Sequence, residues 1–365
     1  MSKVGRIGIL TGGGDCPGLN AVIRAVTKTA LFHHNIEVVG ICDGFHGLLH
    51  NLYRPLTADD TSGILTQGGT ILGASNRDDP FKVLVGKDAD GKARYEDHSD
   101  RVVANVQAQK LDALVCIGGD GTMAISHRLM TKGIPIVGVP KTIDNDLPAT
   151  DQTFGFDTAS AIVADAVDRL HTTAQAHKRV LVVETMGRYA GWIALAGGMA
   201  GGADVILIPE IPYSIEGVMA AIEKRSRIGR RFTIVCVAEG AVMKNGERVV
   251  AKHVPDRTDP HLLGGVGQFI ANHIEEAQGP ECRVVVLGHL QRGGTPTAFD
   301  RVLGTRYGVK AAELIAKGAF GRMVALKGTD IKDVSLEEAA GKLRLVSPEG
   351  ELVQAARGVG TSFGD

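Results

Sequence analysis

The sequence lacks three features: an excess of charge of one sign, a paired-cysteine motif and a long uninterrupted apolar run. A formal net charge of −1 creates no global field for nucleic acid or a membrane surface, so any anion specificity must be local. The five cysteines are scattered without CxxC spacing, which argues against a disulfide frame or a zinc site and favours reduced core thiols in a cytoplasmic protein. The apolar run near the start is too short for a signal peptide, and Asp204 interrupts the apolar residues 191–209, which argues against a membrane span.

Glycine, in contrast, is abundant, with 48 residues that mostly form short clusters at the ends of apolar runs. Such clusters are typical of turns between strands and helices. The regular alternation of strand and helix patterns predicts an α/β fold with largely parallel sheets flanked by helices. The length of 365 residues favours two lobes, which we expect to be similar in architecture, with an active site in the cleft between them. We predict that residues 1–155 with about 291–335 form the larger lobe, and that residues 156–290 with 336–365 form the smaller one.

Two glycine turns stand at predicted strand ends. Residues 113–117 are an apolar run that ends in GGDGT at 118–122, and residues 4–10 lead into TGGGD at 11–15; a helical pattern follows each turn. Glycines and free N–H groups at a helix start suit an anion, and Asp120 adds a carboxylate for a divalent cation. Neither turn has the P-loop or dinucleotide fingerprint, so a metal-assisted phosphoryl donor fits better, with a plain strand-to-helix turn as the alternative.

Two carboxylates, Asp144 and Asp146, follow the predicted strand at 134–139. In an extended segment both would lie on one face, where one could act as a general base and the other could bind a metal. An Asx-rich turn is the alternative interpretation. Five groups flanking predicted strands suit a substrate phosphate, namely Arg179, Arg188, Arg283, His289 and Arg292.

The ordered motifs LTGGGDCPGLNAVIR, GGDGT, PKTIDND, ETMGRYAGW, AEG and LGHLQRGG resemble those of the 6-phosphofructokinase family. The resemblance covers roughly residues 4 to 325. It implies a cytoplasmic, Mg²⁺-dependent glycolytic enzyme that transfers a phosphoryl group from ATP to the 1-hydroxyl of fructose 6-phosphate, with the donor on the larger lobe and the sugar phosphate on the smaller one. It also implies a homo-oligomer, a dimer or a tetramer, and no nucleic-acid or membrane partner.

The same resemblance implies roles for individual residues. Asp144 is the base, Arg188 steadies the transferred group, and Asp120 and Asp146 serve the metal. The donor side comprises Gly13, Gly119, Asp120, Gly121, Thr122 and Lys141, with either Asn76 or Arg77 against the nucleotide. The sugar-phosphate side comprises Thr142, Ile143, Asp144, Met186, Gly187, Arg188, Glu239, His289, Leu290, Gln291 and Arg292, while Arg179 and Arg283 reach it from a neighbouring subunit.

Two positions are informative about the phosphoryl donor, and each favours a different donor. Pyrophosphate users resemble GGDDT, where the extra carboxylate repels a nucleotide, but this chain has Gly121. Lys141, before TIDND, is instead the choice typical of pyrophosphate enzymes. Because an absent carboxylate leaves room for the nucleotide, we expect ATP, with pyrophosphate as the alternative. A non-catalytic nucleotide or sugar-phosphate sensor is the rival from another class.

Overall fold

The computed structural model describes residues 4–88, 90–253 and 261–365. Its strands are β1 (Arg6–Thr11), β2 (Glu37–Ile41), β3 (Tyr53–Leu56), β4 (Val83–Lys87), β5 (Ala93–Glu96), β6 (Ala113–Gly118), β7 (Ile136–Pro140), β8 (Val180–Thr185), β9 (Val205–Leu207), β10 (Thr233–Ala238), β11 (Val250–His253), β12 (His261–Leu263), β13 (Cys282–Val286), β14 (Arg322–Lys327) and β15 (Asp330–Ser335). Its α-helices are α1 (Leu19–Thr29), α2 (Phe45–His50), α3 (Ser99–Ala108), α4 (Asp120–Thr131), α5 (Phe156–His177), α6 (Trp192–Ala200), α7 (Ile215–Arg227), α8 (Val266–Glu276), α9 (Ala298–Ala316), α10 (Leu336–Ala339) and α11 (Glu351–Gly358).

The chain divides into two compact units, and it passes between them several times. Unit 1 consists of residues 1–142, 147–155 and 292–343, and unit 2 of residues 143–146, 156–291 and 344–365. The predicted boundaries were wrong in two places. Residues 336–343 belong to unit 1, because Leu336 and Ala339 are fully buried in its core. Residues 143–146 belong to unit 2, where Arg344 hydrogen-bonds to their backbone.

Unit 1 is built on a seven-stranded sheet in the order β15-β14-β7-β6-β1-β2-β3. The five central strands are parallel, and the strand at each edge is antiparallel to its neighbour. The buried central strands are rich in Val and Ile, as expected for a parallel sheet covered by helices. The glycine turns after β1 and β6 therefore leave neighbouring strands at the same edge of the sheet.

Helix α1, which follows the first glycine turn, packs closely against α9. Gly308 of α9 makes this approach possible, because a Cβ there would lie 2.7 Å from the Cβ of Ala25 and 2.8 Å from the Val22 carbonyl oxygen. The close packing holds the start of α1, and with it the glycine turn, against the body of unit 1.

Unit 2 is built on a four-stranded parallel sheet in the order β13-β8-β10-β9. Val180 of β8 pairs in register with Thr233 of β10 and Cys282 of β13, and helices α5, α6 and α8 pack on the sheet. The α/β prediction, with a largely parallel sheet in each unit, is thus confirmed. Among the helices of the described residues, none combines the length and the apolar character that crossing a bilayer requires.

Candidate active site

The two glycine turns of unit 1 are packed together through one threonine. A Cβ at Gly12 would lie 2.5 Å from the Thr122 hydroxyl oxygen, and one at Gly118 even closer, so the Thr122 side chain occupies the space that both glycines leave. The Gly12 N–H donates to the Ile117 carbonyl at 2.8 Å, and the Gly13 N–H donates to the Ser75 carbonyl at 3.0 Å. The structure therefore brings the predicted donor residues around Gly13 and Thr122 into one place.

The second turn leads directly into helix α4, whose first residue is Asp120. The Gly119 carbonyl accepts from the Met123 N–H at 2.9 Å, so the helix starts at the turn and its positive end lies there. Asp120 is half-buried, and Gly121 is exposed. A Cβ at Gly121 would meet no atom within 4 Å. The space that a side chain would take up at this position is therefore open in the structure.

Two cations lie against the first glycine turn. The Lys141 ammonium, on a side chain only 3% exposed, donates to the Gly14 carbonyl. The Arg292 guanidinium donates to the Asp15 carbonyl at 2.9 Å. Arg292 was predicted on the sugar-phosphate side; in the structure it belongs to unit 1 and contacts the donor turn. The positive charge of both groups favours an anion at this turn.

A cavity of about 340 Å³ opens at the same turn, a size typical of small-molecule sites. It is lined by Gly13, Gly14, Asp15, Gly69, Thr70, Ala74 and Asn76. Of the two alternatives for the nucleotide side, Asn76 lines this cavity, and Arg77 is not among its lining residues. Thr70 and Ala74 were not predicted; the glycine-rich pattern of residues 67–73 was the only signal for them.

The predicted metal carboxylates are divided between the units, Asp120 in unit 1 and Asp146 in unit 2. Among the described residues, no three His, Cys, Asp or Glu side chains form a metal cluster. Mg²⁺ with a phosphate ligand needs only one or two protein carboxylates, since phosphate and water oxygens complete its shell. Asp120, half-buried beside the glycine turns, fits that requirement.

In unit 2, the Asp144 loop, defined as residues 143–146, is almost wholly buried. Asp144 is 4% exposed and Asp146 is 7% exposed. The prediction that both carboxylates lie on one face of an extended segment was wrong, because Asn145 between them adopts a left-handed conformation with φ of +53°. Ile143, predicted to bind substrate, has a fully buried side chain. Thr142, the preceding residue, lies in unit 1, where its carbonyl accepts from the Thr153 hydroxyl at 2.7 Å.

The turn after β8 is bound to the end of β10. The Arg188 N–H donates to a Glu239 carboxylate oxygen at 3.1 Å, and the Glu239 N–H donates to the Thr185 carbonyl at 2.8 Å. A Cβ at Gly240 would collide with the Arg188 carbonyl oxygen, so only glycine fits there. The structure thus places the turn after β8, which contains Met186, Gly187 and Arg188, beside Glu239 at the end of β10.

The segment after β13 adds Gln291 to this group as a support. Gln291 is fully buried, and its side-chain oxygen accepts from the Met186 N–H at 2.8 Å, so it holds the turn after β8 in place. His289 and Leu290, in the same short 3-10 helix, are exposed. Arg179 and Arg283 share one carboxylate: Arg179 donates to Glu281 at 2.6 and 3.1 Å, and Arg283 donates to it as well.

Burial is the main cause that raises the pKa of Glu239 to about 7. The nearby negative charges of Asp144 and Glu184 contribute to this rise, and the N–H and the positive charge of Arg188 oppose it. The dependence on Asp144 indicates that the two carboxyl groups are close enough to sense each other. A carboxyl group that titrates near neutrality beside a buried aspartate is a common feature of catalytic sites.

We predict that Glu239→Gln changes the pH dependence of stability. Between the ordinary pKa of 4.5 and the raised value of about 7, the folded state keeps a proton that the unfolded chain loses. The wild-type protein therefore loses stability as the pH rises through this window, whereas a neutral glutamine does not. Urea unfolding at about pH 5 and about pH 8 measures the free energy of unfolding of both proteins. Relative to the wild type, the variant should be more stable at about pH 8 than at about pH 5. If the difference in free energy of unfolding between variant and wild type is the same at both pH values, the raised pKa of Glu239 is contradicted.

Known proteins resemble this chain over most of its length. The phosphofructokinase family model matches residues 6–315. The ATP-dependent 6-phosphofructokinase 2 of Clostridium perfringens is 52% identical over 366 residues and covers all of both chains. The pyrophosphate–fructose 6-phosphate 1-phosphotransferase of Amycolatopsis methanolica is also 52% identical, over 94% of this chain and 97% of that protein. The crystal structure of Pichia pastoris phosphofructokinase in the T-state superimposes with a TM-score of 0.79 at 30% identity, over 93% of this chain and 36% of the yeast chain.

The fold and the site together define an α/β enzyme of the phosphotransferase class. Within that class, the chain belongs to the phosphofructokinase family.

Proposed function

We propose that the protein is an ATP-dependent 6-phosphofructokinase, which transfers the γ-phosphoryl group of ATP to the 1-hydroxyl of fructose 6-phosphate and yields fructose 1,6-bisphosphate and ADP. The observation that carries the proposal is the first glycine turn, Gly13–Asp15, which lines a cavity. Thr122 joins this turn to the second one, and the cations Lys141 and Arg292 lie against it. Such a site suits a polyphosphate. Asn76, at the same cavity, supplies an amide for the nucleotide.

Unit 2 supplies the acceptor chemistry in this proposal. The buried Asp144 takes the proton from the sugar 1-hydroxyl, because a carboxylate held in place is an effective general base. The exposed Arg188 side chain steadies the transferred phosphoryl group, and Glu239 accepts hydrogen bonds from sugar hydroxyls. On the donor side, Asp120 would hold Mg²⁺, which when bound neutralises charge on the donor phosphates.

Pyrophosphate is the second candidate donor, and one observation favours it. The Lys141 ammonium lies directly on the donor turn, next to Gly13 and Gly14, where it suits a compact, highly charged donor. The relative that is named for pyrophosphate has the same identity, 52%, as the one that is named for ATP, but over 94% rather than all of this chain. The open space at Gly121 nevertheless favours ATP, since nothing there repels a nucleotide.

The proposal includes a cytoplasmic homo-oligomer in which Arg179 and Arg283 reach the sugar phosphate of a neighbouring subunit. Both guanidinium groups lie at the edge strand β13 or beside it, on the Glu281 carboxylate. An incoming phosphate would compete with that carboxylate for the same two side chains.

The experiment that tests the proposal is product formation by the purified protein from fructose 6-phosphate, Mg²⁺ and either ATP or pyrophosphate. We expect fructose 1,6-bisphosphate with ATP, and no product once EDTA removes the metal, because the donor charge is then uncompensated. Binding of either ligand without turnover would identify a sensor instead.

A further inference from the structure

The C-terminal part of the chain reaches the backbone of the Asp144 loop. The Arg344 N–H donates to the Asp146 carbonyl at 2.7 Å, and the Arg344 guanidinium donates to the Asn145 carbonyl at 3.4 Å. All three residues belong to unit 2. Arg344 lies beyond residues 6–315, which the family model matches, and no motif singled it out.

Arg344 is itself held by Trp192, the single tryptophan of the chain and the first residue of α6. The Trp192 indole N–H donates to the Arg344 carbonyl at 2.8 Å, and the guanidinium carbon lies 4.4 Å from the centre of the indole ring. A guanidinium stacked on an indole has little freedom left, so its direction toward the Asp144 loop is fixed.

A half-buried carboxylate, Glu210, fixes the same segment from the other side. It accepts from the Val346 N–H at 2.9 Å and from the Gly191 N–H at 3.0 and 3.1 Å. Residues 344–346 are therefore bound at both ends to the start of α6. The segment that contacts the Asp144 loop is therefore held in place at two points and supports the loop rigidly.

The Asp144 loop needs such a support because its backbone is strained. Asn145 has φ of +53°, a conformation that costs a residue other than glycine about 1 kcal/mol or more and persists only where the surroundings impose it. The carbonyl groups of Asn145 and Asp146 are the groups that Arg344 binds. Their position determines where the Asp144 carboxylate points.

We propose that Arg344, supported by Trp192, is a positioning residue for Asp144. The inference rests on the proposed function, in which Asp144 is the general base. A base must lie within hydrogen-bond reach of the proton that it removes, and a displacement of about 1 Å can cost on the order of 100-fold in rate. Arg344 acts through the loop backbone, so it affects the chemical step and leaves donor binding unchanged.

The test compares Arg344→Ala with a matched control, Arg357→Ala. Arg357 also stacks on an aromatic ring of unit 2, Phe363 at 4.8 Å, and binds a carboxylate, but it does not contact the Asp144 loop. Arg344→Ala keeps the backbone N–H that donates to the Asp146 carbonyl and removes the charged donor to the Asn145 carbonyl. We expect it to lower kcat by about 10-fold with KM for ATP unchanged, and Arg357→Ala to keep kcat. Equal kcat in the two variants would overturn the proposal.

Trp192→Phe is the milder variant, in case Arg344→Ala folds poorly. It keeps an aromatic ring under the guanidinium, but it removes the N–H donor and part of the stacking area of the indole. We therefore expect kcat to fall by at least about 2- to 10-fold, the effect of losing one hydrogen bond. Thermal unfolding of each variant shows whether activity is lost from folded protein. A kcat at the wild-type value in folded Trp192→Phe would overturn the supporting role of Trp192.

A double variant separates positioning from a purely structural role. If Arg344 acts through Asp144, Arg344→Ala should lower kcat no further in an Asp144→Ser background, because the base is already gone. An additional loss equal to that of the single variant would overturn the inference. If Asp144→Ser alone keeps wild-type turnover, Asp144 is not the base, and both the proposed role of Asp144 and this inference are overturned. If Asp144→Ser is impaired and Arg344→Ala is not, only the inference about Arg344 is overturned.

Discussion

Asp144→Ser is expected to lower kcat by about 10²- to 10⁴-fold, the range typical for loss of a general base, while KM for fructose 6-phosphate stays close to the wild-type value. The serine hydroxyl cannot take up a proton at neutral pH, and it is smaller than the carboxylate, so it fits the buried position that is only 4% exposed. Steady-state kinetics with saturating ATP measure both constants.

Asp168→Ser is the matched control for this prediction. Asp168 is an exposed aspartate on α5, within the same unit, and it has no role in the proposed chemistry. Its replacement should leave both constants unchanged. Unchanged kcat in Asp144→Ser as well would remove Asp144 as the base.

The second large effect is expected from Gly121→Asp, which should lower kcat/KM for ATP by about 100-fold, because a like charge facing the nucleotide phosphates costs several kcal/mol. The side chain can be accommodated, since a Cβ at Gly121 meets no atom within 4 Å and the backbone there is helical. Initial rates at varied ATP concentration measure the effect.

Gly121→Asn distinguishes charge from bulk in this experiment. Asparagine has nearly the shape of aspartate without its charge, so it should keep most of the activity with ATP. An equal loss in both variants would show that steric exclusion, rather than charge, selects the donor, and no loss in either would place the nucleotide elsewhere.

The central parts of both sheets could be predicted from local pattern. Strand β6 is buried at all six positions, and its continuous apolar run ending in glycines carries that information in the sequence. Helix α6 begins and ends where its small-residue pattern does. Strands β14 and β15 and helix α2 were not predicted. Strand β14 is placed by its pairing with β7, which is distant in the sequence, and β15 is the edge strand beyond it. Helix α2 is only six residues long, too short to show a strong period of its own.

The site residues were predicted from motifs. A motif specifies which residues are present, but it does not specify the backbone conformation that they adopt. They singled out both Arg188 and Glu239, and in the structure the Arg188 N–H donates to the Glu239 carboxylate at 3.1 Å. They did not reveal the left-handed backbone at Asn145, nor that Gln291 supports Met186 from a buried position. No sequence pattern identified Arg344, because it contacts backbone carbonyls more than 190 residues earlier in the chain.

The most direct test of the account is the ratio of kcat/KM for ATP to kcat/KM for pyrophosphate, measured on the wild-type protein with fructose 6-phosphate and Mg²⁺. The open space at Gly121 predicts a ratio well above one. A ratio below one would contradict the ATP assignment and would make Lys141, on the Gly14 carbonyl, the residue that decides the donor.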